Sequence, residues 1–261
     1  MTRVQIGPTT SIEYDRRGAG DPLVLVHGIT ERRASWDPLV DPLVAAGFDV
    51  LRVDLRGHGA SSRTPPYDLA TMAGDLGAVV ADAGITDPVL VGHSLGGAVV
   101  SAYAAGAPCR SVVNVDQPLA LADFQESLGQ LEPLLRGDDG QFQQAITMVF
   151  EQMAGPLAGP ARRRVEELRS AEQDVVLGIW EPVLSSPAAE LDAMTEAIAS
   201  SITVPYLSLH GIDPGPAYAE WLTGLIPTAV VEVWPDHGHY PHLVDQERFV
   251  ARLLEFQQQL R

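Results

Sequence analysis

One serine lies in a short pattern that can support nucleophilic catalysis. Ser94 is the centre of Gly92-His93-Ser94-Leu95-Gly96, which follows the apolar run 88–91 and precedes a small-residue stretch at 98–105. A serine on a tight turn from a strand into a helix is crowded, so glycine on either side leaves the space it needs. The first N–H groups of such a helix favour developing negative charge. The pattern predicts Ser94 as a nucleophile, and an inert serine on a glycine-rich turn is the alternative interpretation.

The residue types of the chain give less support to amine-based or metal-based catalysis. All 17 basic residues are Arg, so an amine for Schiff-base chemistry or for a phosphate-binding loop is missing. His237, His239 and His242 could in principle converge on one metal ion. Their spacing matches neither a helical H-E-x-x-H motif nor a zinc finger. We therefore predict no metal site and no cofactor.

The elements around Ser94 predict an α/β fold. Short apolar runs recur along the chain, and helical patterns such as 71–83 and 98–105 separate them. Continuous apolar runs are typical of parallel strands buried on both faces, and parallel strands need helical crossovers. We expect strands at Leu23–Val26, Val50–Val53, Val89–Val91, Val112–Val115, Tyr206–Leu209 and Val230–Trp234. Residues 4–6 and 11–15 alternate in polarity and predict an antiparallel hairpin at the sheet edge.

The alternation of strands and helices stops in the middle of the chain. Between Asp116 and about Ser201 the apolar residues recur only at helical spacing. We expect residues 117–201 to form an inserted helical cap on a core made of residues 1–116 and 202–261.

The net charge of −17 argues against several partners. An acidic chain is repelled by nucleic acid and by anionic membranes, so neither is expected to bind. Residues 88–109 carry almost no charge, but four glycines, His93 and Ser94 divide them, which argues against a membrane span. The polar first ten residues and the single Cys109 favour a cytoplasmic location. We expect a small-molecule substrate as the partner, and the sequence leaves the oligomeric state open.

Several motifs resemble those of the α/β-hydrolase family and follow the family's order along the chain. The Ser94 pattern is one. His27-Gly28-Ile29-Thr30 follows the first predicted parallel strand, where the family places its oxyanion loop, and residues 54–61 (DLRGHGAS) are similar to the family's D-x-R-G-x-G-x-S turn. The resemblance implies a mostly parallel twisted sheet flanked by helices, with an inserted helical cap.

The resemblance also implies roles for particular residues. Gly238-His239-Tyr240-Pro241-His242-Leu243 is similar to the family's G-H-[FY]-P-H-L segment, whose first histidine is the general base, so His239 is the expected base. Asp213 follows the strand at 206–209, where most members carry the acid, although the spacing here is G-x-D rather than G-x-x-D. Asp116 ends the strand at 112–115, where some relatives place it. We expect Asp213 to be the acid, with Asp116 as the alternative, and the backbone N–H groups of Ile29 and Leu95 to form the oxyanion hole.

These residues together predict a serine hydrolase. The expected reaction is cleavage of a carboxylic ester or lactone of a small to medium apolar substrate through an acyl-enzyme intermediate. Serine in place of aspartate argues against epoxide hydrolase and dehalogenase chemistry. A ligand-binding or signalling member with slow turnover and a cofactor-free C–C bond hydrolase remain alternatives. Candidate substrate contacts are Trp36, Phe124, Met148 and Trp180.

Overall fold

An eight-stranded sheet forms the core of the protein. The computed structural model describes residues 1–260. The strands adjoin in the order β1-β2-β4-β3-β5-β6-β7-β8. Their bounds are β1 Thr2–Gln5, β2 Ser11–Gly18, β3 Asp21–Val26, β4 Phe48–Val53, β5 Val89–His93, β6 Ser111–Val115, β7 Tyr206–His210 and β8 Ala229–Val233. The strands from β3 to β8 pair in parallel, whereas β2 is antiparallel to both β1 and β4. The predicted fold class and the N-terminal hairpin are confirmed.

Helices cover both faces of this sheet because strand residues alternate between two apolar cores. Val24 and Val26 point into one core, and Leu23 and Leu25 point into the other. The first core includes side chains of α2, α3 and α9, and the second includes side chains of α1 and α11. The helices are α1 Asp37–Ala45, α2 Leu69–Asp82, α3 Leu95–Ala104, α9 Tyr218–Leu225, α10 Pro241–Val244 and α11 Gln246–Gln258.

Five helices lie between β6 and β7, inside the segment predicted to be helical. They are α4 Ala122–Leu135, α5 Asp139–Met153, α6 Gly159–Leu168, α7 Gln173–Ser185 and α8 Ala188–Ser200. We call these five helices the helical insertion. Its buried side chains, among them Phe142, Ile146 and Trp180, form a core of their own that also includes Ile29 of the predicted oxyanion loop. The helical insertion therefore packs directly on the loop after β3.

The turn after β4 acts as a scaffold. The Asp54 carboxylate accepts hydrogen bonds from the backbone N–H groups of Arg33, at 2.7 Å, and Ala60, at 3.0 Å. Arg56 forms a buried ion pair with Asp75 of α2 at 2.6 Å. These contacts join the segment after the predicted oxyanion loop to the turn after β4, and that turn to α2. Residues 88–109 form β5 and α3. Within residues 1–260, no helix has both the length and the apolar character needed to cross a membrane.

Candidate active site

Ser94 occupies the sharp turn that its sequence pattern predicts. It lies between β5 and α3 with φ +51° and ψ −125°, a conformation that is strained for a residue with a side chain. A Cβ atom on Gly92 would lie 2.1 Å from the Gly96 carbonyl oxygen, and one on Gly96 would lie 2.2 Å from the Val26 carbonyl oxygen. Both positions therefore require glycine. The strain is maintained because the turn is packed from both sides.

The end of β6 places a carboxylate against the predicted base. His239 Nδ1 donates a hydrogen bond to Asp116 Oδ2 at 2.7 Å, and both side chains are 3% exposed. The other carboxylate oxygen, Oδ1, accepts from the backbone N–H groups of Gly211 at 2.7 Å and Ile212 at 3.0 Å. All the hydrogen bonds of this buried carboxylate thus favour its ionised form.

The preferred assignment of Asp213 as the partner of His239 is wrong. Asp213 is exposed, and its Oδ1 accepts a hydrogen bond from the Gly215 N–H at 2.9 Å within its own loop. The loop after β7 directs Asp213 towards solvent, away from His239. It contributes two backbone donors instead, and the carboxylate that they hold is the alternative, Asp116.

The protonation states of the pair follow from its surroundings. Burial alone raises the pKa of Asp116, but the hydrogen bonds from His239 and the two backbone N–H groups lower it below the ordinary carboxyl value. Burial lowers the pKa of His239, and the hydrogen bond to Asp116 offsets this only in part. Asp116 is therefore ionised and His239 neutral near pH 7. Because Nδ1 carries the proton, Nε2 has a free lone pair that can accept another.

Parallel pairing brings Ser94 and Asp116 to the same edge of the sheet. His93 and Val115 are register partners on β5 and β6, and Ser94 and Asp116 are the next residues on each strand. The Ser94 N–H donates to the Val115 carbonyl at 2.9 Å, and the Asp116 N–H donates to the Leu209 carbonyl of β7 at 2.7 Å. The carboxyl ends of three neighbouring strands thus position these residues, as is typical of ligand sites in open α/β sheets.

The two predicted oxyanion donors lie in the expected places. Leu95 is the first residue of α3, and Ile29 follows Gly28, where an added Cβ atom would lie 3.2 Å from the Ser94 Cβ atom. The loop after β3 therefore packs against the nucleophile. Among the described residues, neither the Ile29 N–H nor the Leu95 N–H has a hydrogen-bond partner. Their role as an oxyanion hole stays a prediction.

The three histidines near the C-terminus do not share a ligand position. His237 Nδ1 donates to the Pro235 carbonyl at 2.8 Å, whereas His239 is bonded to Asp116. The His242 ring packs on Trp36, with 4.8 Å between ring centroids. In residues 1–260, the structure contains no group of three or more His, Cys, Asp or Glu side chains that could hold a metal ion.

The predicted substrate contacts have different environments. Trp36 is 1% exposed and belongs to the core beneath α1 and α11. Phe124 and Trp180 pack edge to face between helices of the insertion at 5.9 Å. Met148 is 46% exposed on the outside of α5. Trp36, Phe124 and Trp180 thus contribute to packing, and Met148 faces solvent.

The helical insertion is hydrogen-bonded to the loop of the predicted base. The His239 N–H donates to the carbonyl of Met153, the last residue of α5, at 2.9 Å. Gly155 and Gly238 both have positive φ, and an added Cβ atom on Gly155 would lie 2.7 Å from the Gly238 Cα atom. The close backbone approach requires glycine at both positions. The backbone at His239 is thus positioned by the insertion.

Sequence patterns did not identify two further buried residues at the site. Glu31 lies in the loop after β3, 6% exposed, and its Oε1 is 3.4 Å from His93 Nδ1. His93 Nε2 donates to the His239 carbonyl at 2.8 Å. His93 occupies the variable position of the nucleophile pattern, and Glu31 has the sequence surroundings of an ordinary surface residue. A carboxylate followed by two arginines carries no signal for burial.

Comparison with known proteins identifies the family. A family model described as the alpha/beta hydrolase family matches residues 23–253. The chain therefore belongs to the alpha/beta hydrolase family, as its fold and its serine turn indicate.

Relatives with different activities match nearly the whole chain. A non-heme haloperoxidase of Rhodococcus erythropolis is 29% identical and covers 98% of this chain and 99% of its own. A pimeloyl-[acyl-carrier protein] methyl ester esterase of Vibrio parahaemolyticus is 28% identical, covering 96% and 99%. A solved structure of an N-acyl homoserine lactone degrading enzyme superposes with a TM-score of 0.75 at 22% identity and covers 98% and 100%. The last comparison shows the shared fold.

Substitution of each candidate acid should separate their roles. Asp116→Asn removes the carboxylate that stabilises protonated His239, so the pKa of His239 should fall further below its wild-type value. Asp213→Asn is the matched control and should leave that pKa unchanged. NMR titration of the His239 ring measures both. A lowered pKa in Asp213→Asn with no change in Asp116→Asn would contradict the observed pairing.

Proposed function

We propose that the protein is a serine hydrolase that cleaves a carboxylic ester or lactone of a small to medium apolar substrate. Ser94 is the nucleophile, His239 the general base and Asp116 the acid that orients it. The hydrogen bond of 2.7 Å between His239 and Asp116 carries this proposal. It presents a neutral imidazole, with its second nitrogen free, at the edge of the sheet where Ser94 lies.

The proposed cycle has two halves that mirror each other. Ser94 Oγ attacks the substrate carbonyl while His239 Nε2 takes its proton, and the Ile29 and Leu95 N–H groups stabilise the oxyanion. Protonated His239 then donates to the leaving oxygen, and the C–O bond breaks to leave an acyl group on Ser94. Water, deprotonated by His239, attacks the acyl carbonyl, and return of the proton to Ser94 releases the acid. The cycle uses no cofactor.

The relatives support an ester or a lactone as the substrate. One is a methyl ester esterase, and another degrades N-acyl homoserine lactones. The chain is similar to each over nearly its full length. The haloperoxidase relative has a different activity, so similarity alone does not define the substrate. The proposal therefore depends on the geometry of this site.

A small apolar cavity indicates the size of the acyl group. Ala98 lies one helical turn after Ser94 on α3, and Gln117 directly follows Asp116; both line a cavity of about 50 Å³ whose wall is almost entirely apolar. Met194 and Ile198 of α8 close its other side. A space of this volume accommodates only a few carbon atoms. We therefore propose it as the binding site of a short acyl chain.

Turnover of an ester series tests the proposed function. Wild-type protein should hydrolyse p-nitrophenyl esters with an optimum at short acyl chains, measured as steady-state kcat/KM. Ser94→Ala should lose on the order of 10⁴-fold in rate. Ser127→Ala changes an exposed serine on α4 and is the matched control, so its rate should equal the wild-type rate.

Two results would contradict this proposal. The first is an equal rate for wild type and Ser94→Ala on every ester and lactone tested. The second is a single burst of product followed by arrest, which would favour a ligand-binding member of the family. Cleavage of a diketone without ester turnover would indicate a C–C bond hydrolase instead.

Filling the apolar cavity should change selectivity for acyl length. Ala98→Leu places a larger side chain in the cavity wall, so kcat/KM for butyrate and longer esters should fall about tenfold or more while acetate changes little. Ile198→Ala enlarges the same cavity and should favour longer chains. Ala197→Leu lies on the exposed face of α8 outside the cavity and is the matched control. The same chain-length profile in all three variants would show that the cavity does not bind the acyl chain.

A further inference from the structure

A cluster of aromatic and imidazole rings lies behind the candidate site, and one carboxylate is buried within it. The His93 ring packs against His239 and His242, each with 4.6 Å between ring centroids, and against Tyr240 at 5.0 Å. Glu31 is the carboxylate. Among the described residues, His93 is its only ion-pair partner, at 3.4 Å. A buried carboxylate is costly unless a positive charge or hydrogen bonds compensate it.

The hydrogen bonds of two neighbouring histidines, His27 and His58, exclude these residues as that positive charge. His27 Nδ1 donates to the Gly28 carbonyl at 2.7 Å, and its Nε2 accepts from the Leu55 N–H at 3.0 Å. His58 has the same arrangement: Nδ1 donates to the Arg56 carbonyl, and Nε2 accepts from the Thr30 N–H at 3.2 Å. A ring nitrogen that accepts a hydrogen bond carries no proton, so both imidazoles are neutral.

His93 differs because both of its nitrogens face acceptors. Nε2 donates to the His239 carbonyl at 2.8 Å, and Nδ1 faces the Glu31 carboxylate. Nδ1 makes no hydrogen bond of regular geometry, so its contact with Glu31 at 3.4 Å is an ion pair, which requires a proton on Nδ1. An imidazole with a proton on each nitrogen is positively charged. A Cβ atom on Gly28 would lie 3.1 Å from His93 Nδ1 and 3.3 Å from Glu31 Oε1. Glycine at this position therefore lets the loop close over the pair.

We propose that Glu31 and His93 form a buried charged pair that positions His239 for catalysis. His93 fixes the backbone of His239 through its carbonyl, opposite the bond from the His239 N–H to Met153. Its positive charge, 4.6 Å away by ring centroid, keeps the His239 imidazole neutral and thus able to accept a proton. Glu31 maintains the charge on His93. This positioning role rests on the proposed function. The charge of the pair and its effect on the pKa of His239 can be measured whether or not the protein turns over a substrate.

The surrounding electrostatics agree with this geometry. Burial alone lowers the pKa of His93, but the charge of Glu31 raises it above the ordinary histidine value. Burial alone raises the pKa of Glu31, and His93 lowers it well below the ordinary carboxyl value. The other groups facing the pair are Asp116, which is ionised, Tyr240, whose pKa burial raises, and three histidines whose pKa burial lowers, His27, His58 and His242.

The direction in which the pKa of His239 changes in Glu31 and His93 variants distinguishes a charged pair from a neutral one. Of the two charges, His93 affects the pKa of His239 more strongly than Glu31 does, and it lowers it. Glu31→Gln removes the support for the charge on His93, and His93→Gln removes that charge while keeping an N–H donor for the His239 carbonyl. Both variants should therefore raise the pKa of His239. If His93 were neutral, Glu31→Gln would remove only an anion and would lower it.

NMR titration of the ring nitrogens tests the proposal directly. In ¹⁵N-labelled wild-type protein at pH 7, His93 should be protonated at both nitrogens and His239 at Nδ1 alone. The pKa of His239 should rise in Glu31→Gln, in His93→Gln and in the double variant. The rise in the double variant should equal that in Glu31→Gln, because both variants leave neither charge of the pair, whereas His93→Gln keeps the Glu31 anion and should give the largest rise. A neutral His93 in wild-type protein, or a lowered His239 pKa in Glu31→Gln, would overturn the proposal.

Enzyme kinetics provide a second readout. A raised pKa keeps His239 protonated to higher pH, so kcat/KM of the Glu31→Gln variant should fall several-fold on the acidic side of the profile and approach the wild-type value on the alkaline plateau. An equal loss at every pH would indicate a purely structural role and would contradict the proposal. If wild-type protein hydrolyses no ester, the proposed function fails, while the NMR titration still decides the charge of the pair. The wild-type spectrum also decides it if a single variant does not fold.

Discussion

The hydrogen bond between Asp116 and His239 joins residues 123 positions apart and depends on the relative positions of three strand ends. Asp116 ends β6 with φ +52°, which is uncommon for a residue with a side chain. Its carboxylate is held by two N–H groups from the loop after β7, and its partner lies in the loop after β8. Three strand ends must be in register for this one contact to form. The geometry of parallel pairing thus provides the orientation that acid–base chemistry needs.

The loop that carries His239 is held from two sides. The helical insertion binds its N–H through the Met153 carbonyl, and the core binds its carbonyl through His93. Gly238 allows the insertion to approach closely because a side chain there would meet Gly155. The insertion therefore contributes to the position of the base as well as covering the sheet edge. Residues far apart in sequence, Met153 and His93, thus both position the backbone of His239, whose imidazole is the proposed base.

Local sequence patterns predicted those features that depend on local sterics. Continuous apolar runs indicated the parallel strands, and the glycines around Ser94 indicated the strained turn, since no other residue fits there. The acid was harder to predict because two aspartates follow adjacent strands, and only the path of the loop after β7 separates them. That path turns Asp213 outwards. Glu31 and His93 were not identified because burial of a charge depends on tertiary packing, which leaves no periodic signal.

The most direct test of this account is the rate at which a fluorophosphonate labels Ser94. Peptide mapping by mass spectrometry identifies the modified serine, and the labelling rate measures how strongly the base activates it. The account predicts equal rates in wild type and Asp213→Asn, and a rate lower by about 10³-fold or more in Asp116→Asn. Loss of labelling in Asp213→Asn with a normal rate in Asp116→Asn, or modification of a serine other than Ser94, would contradict it.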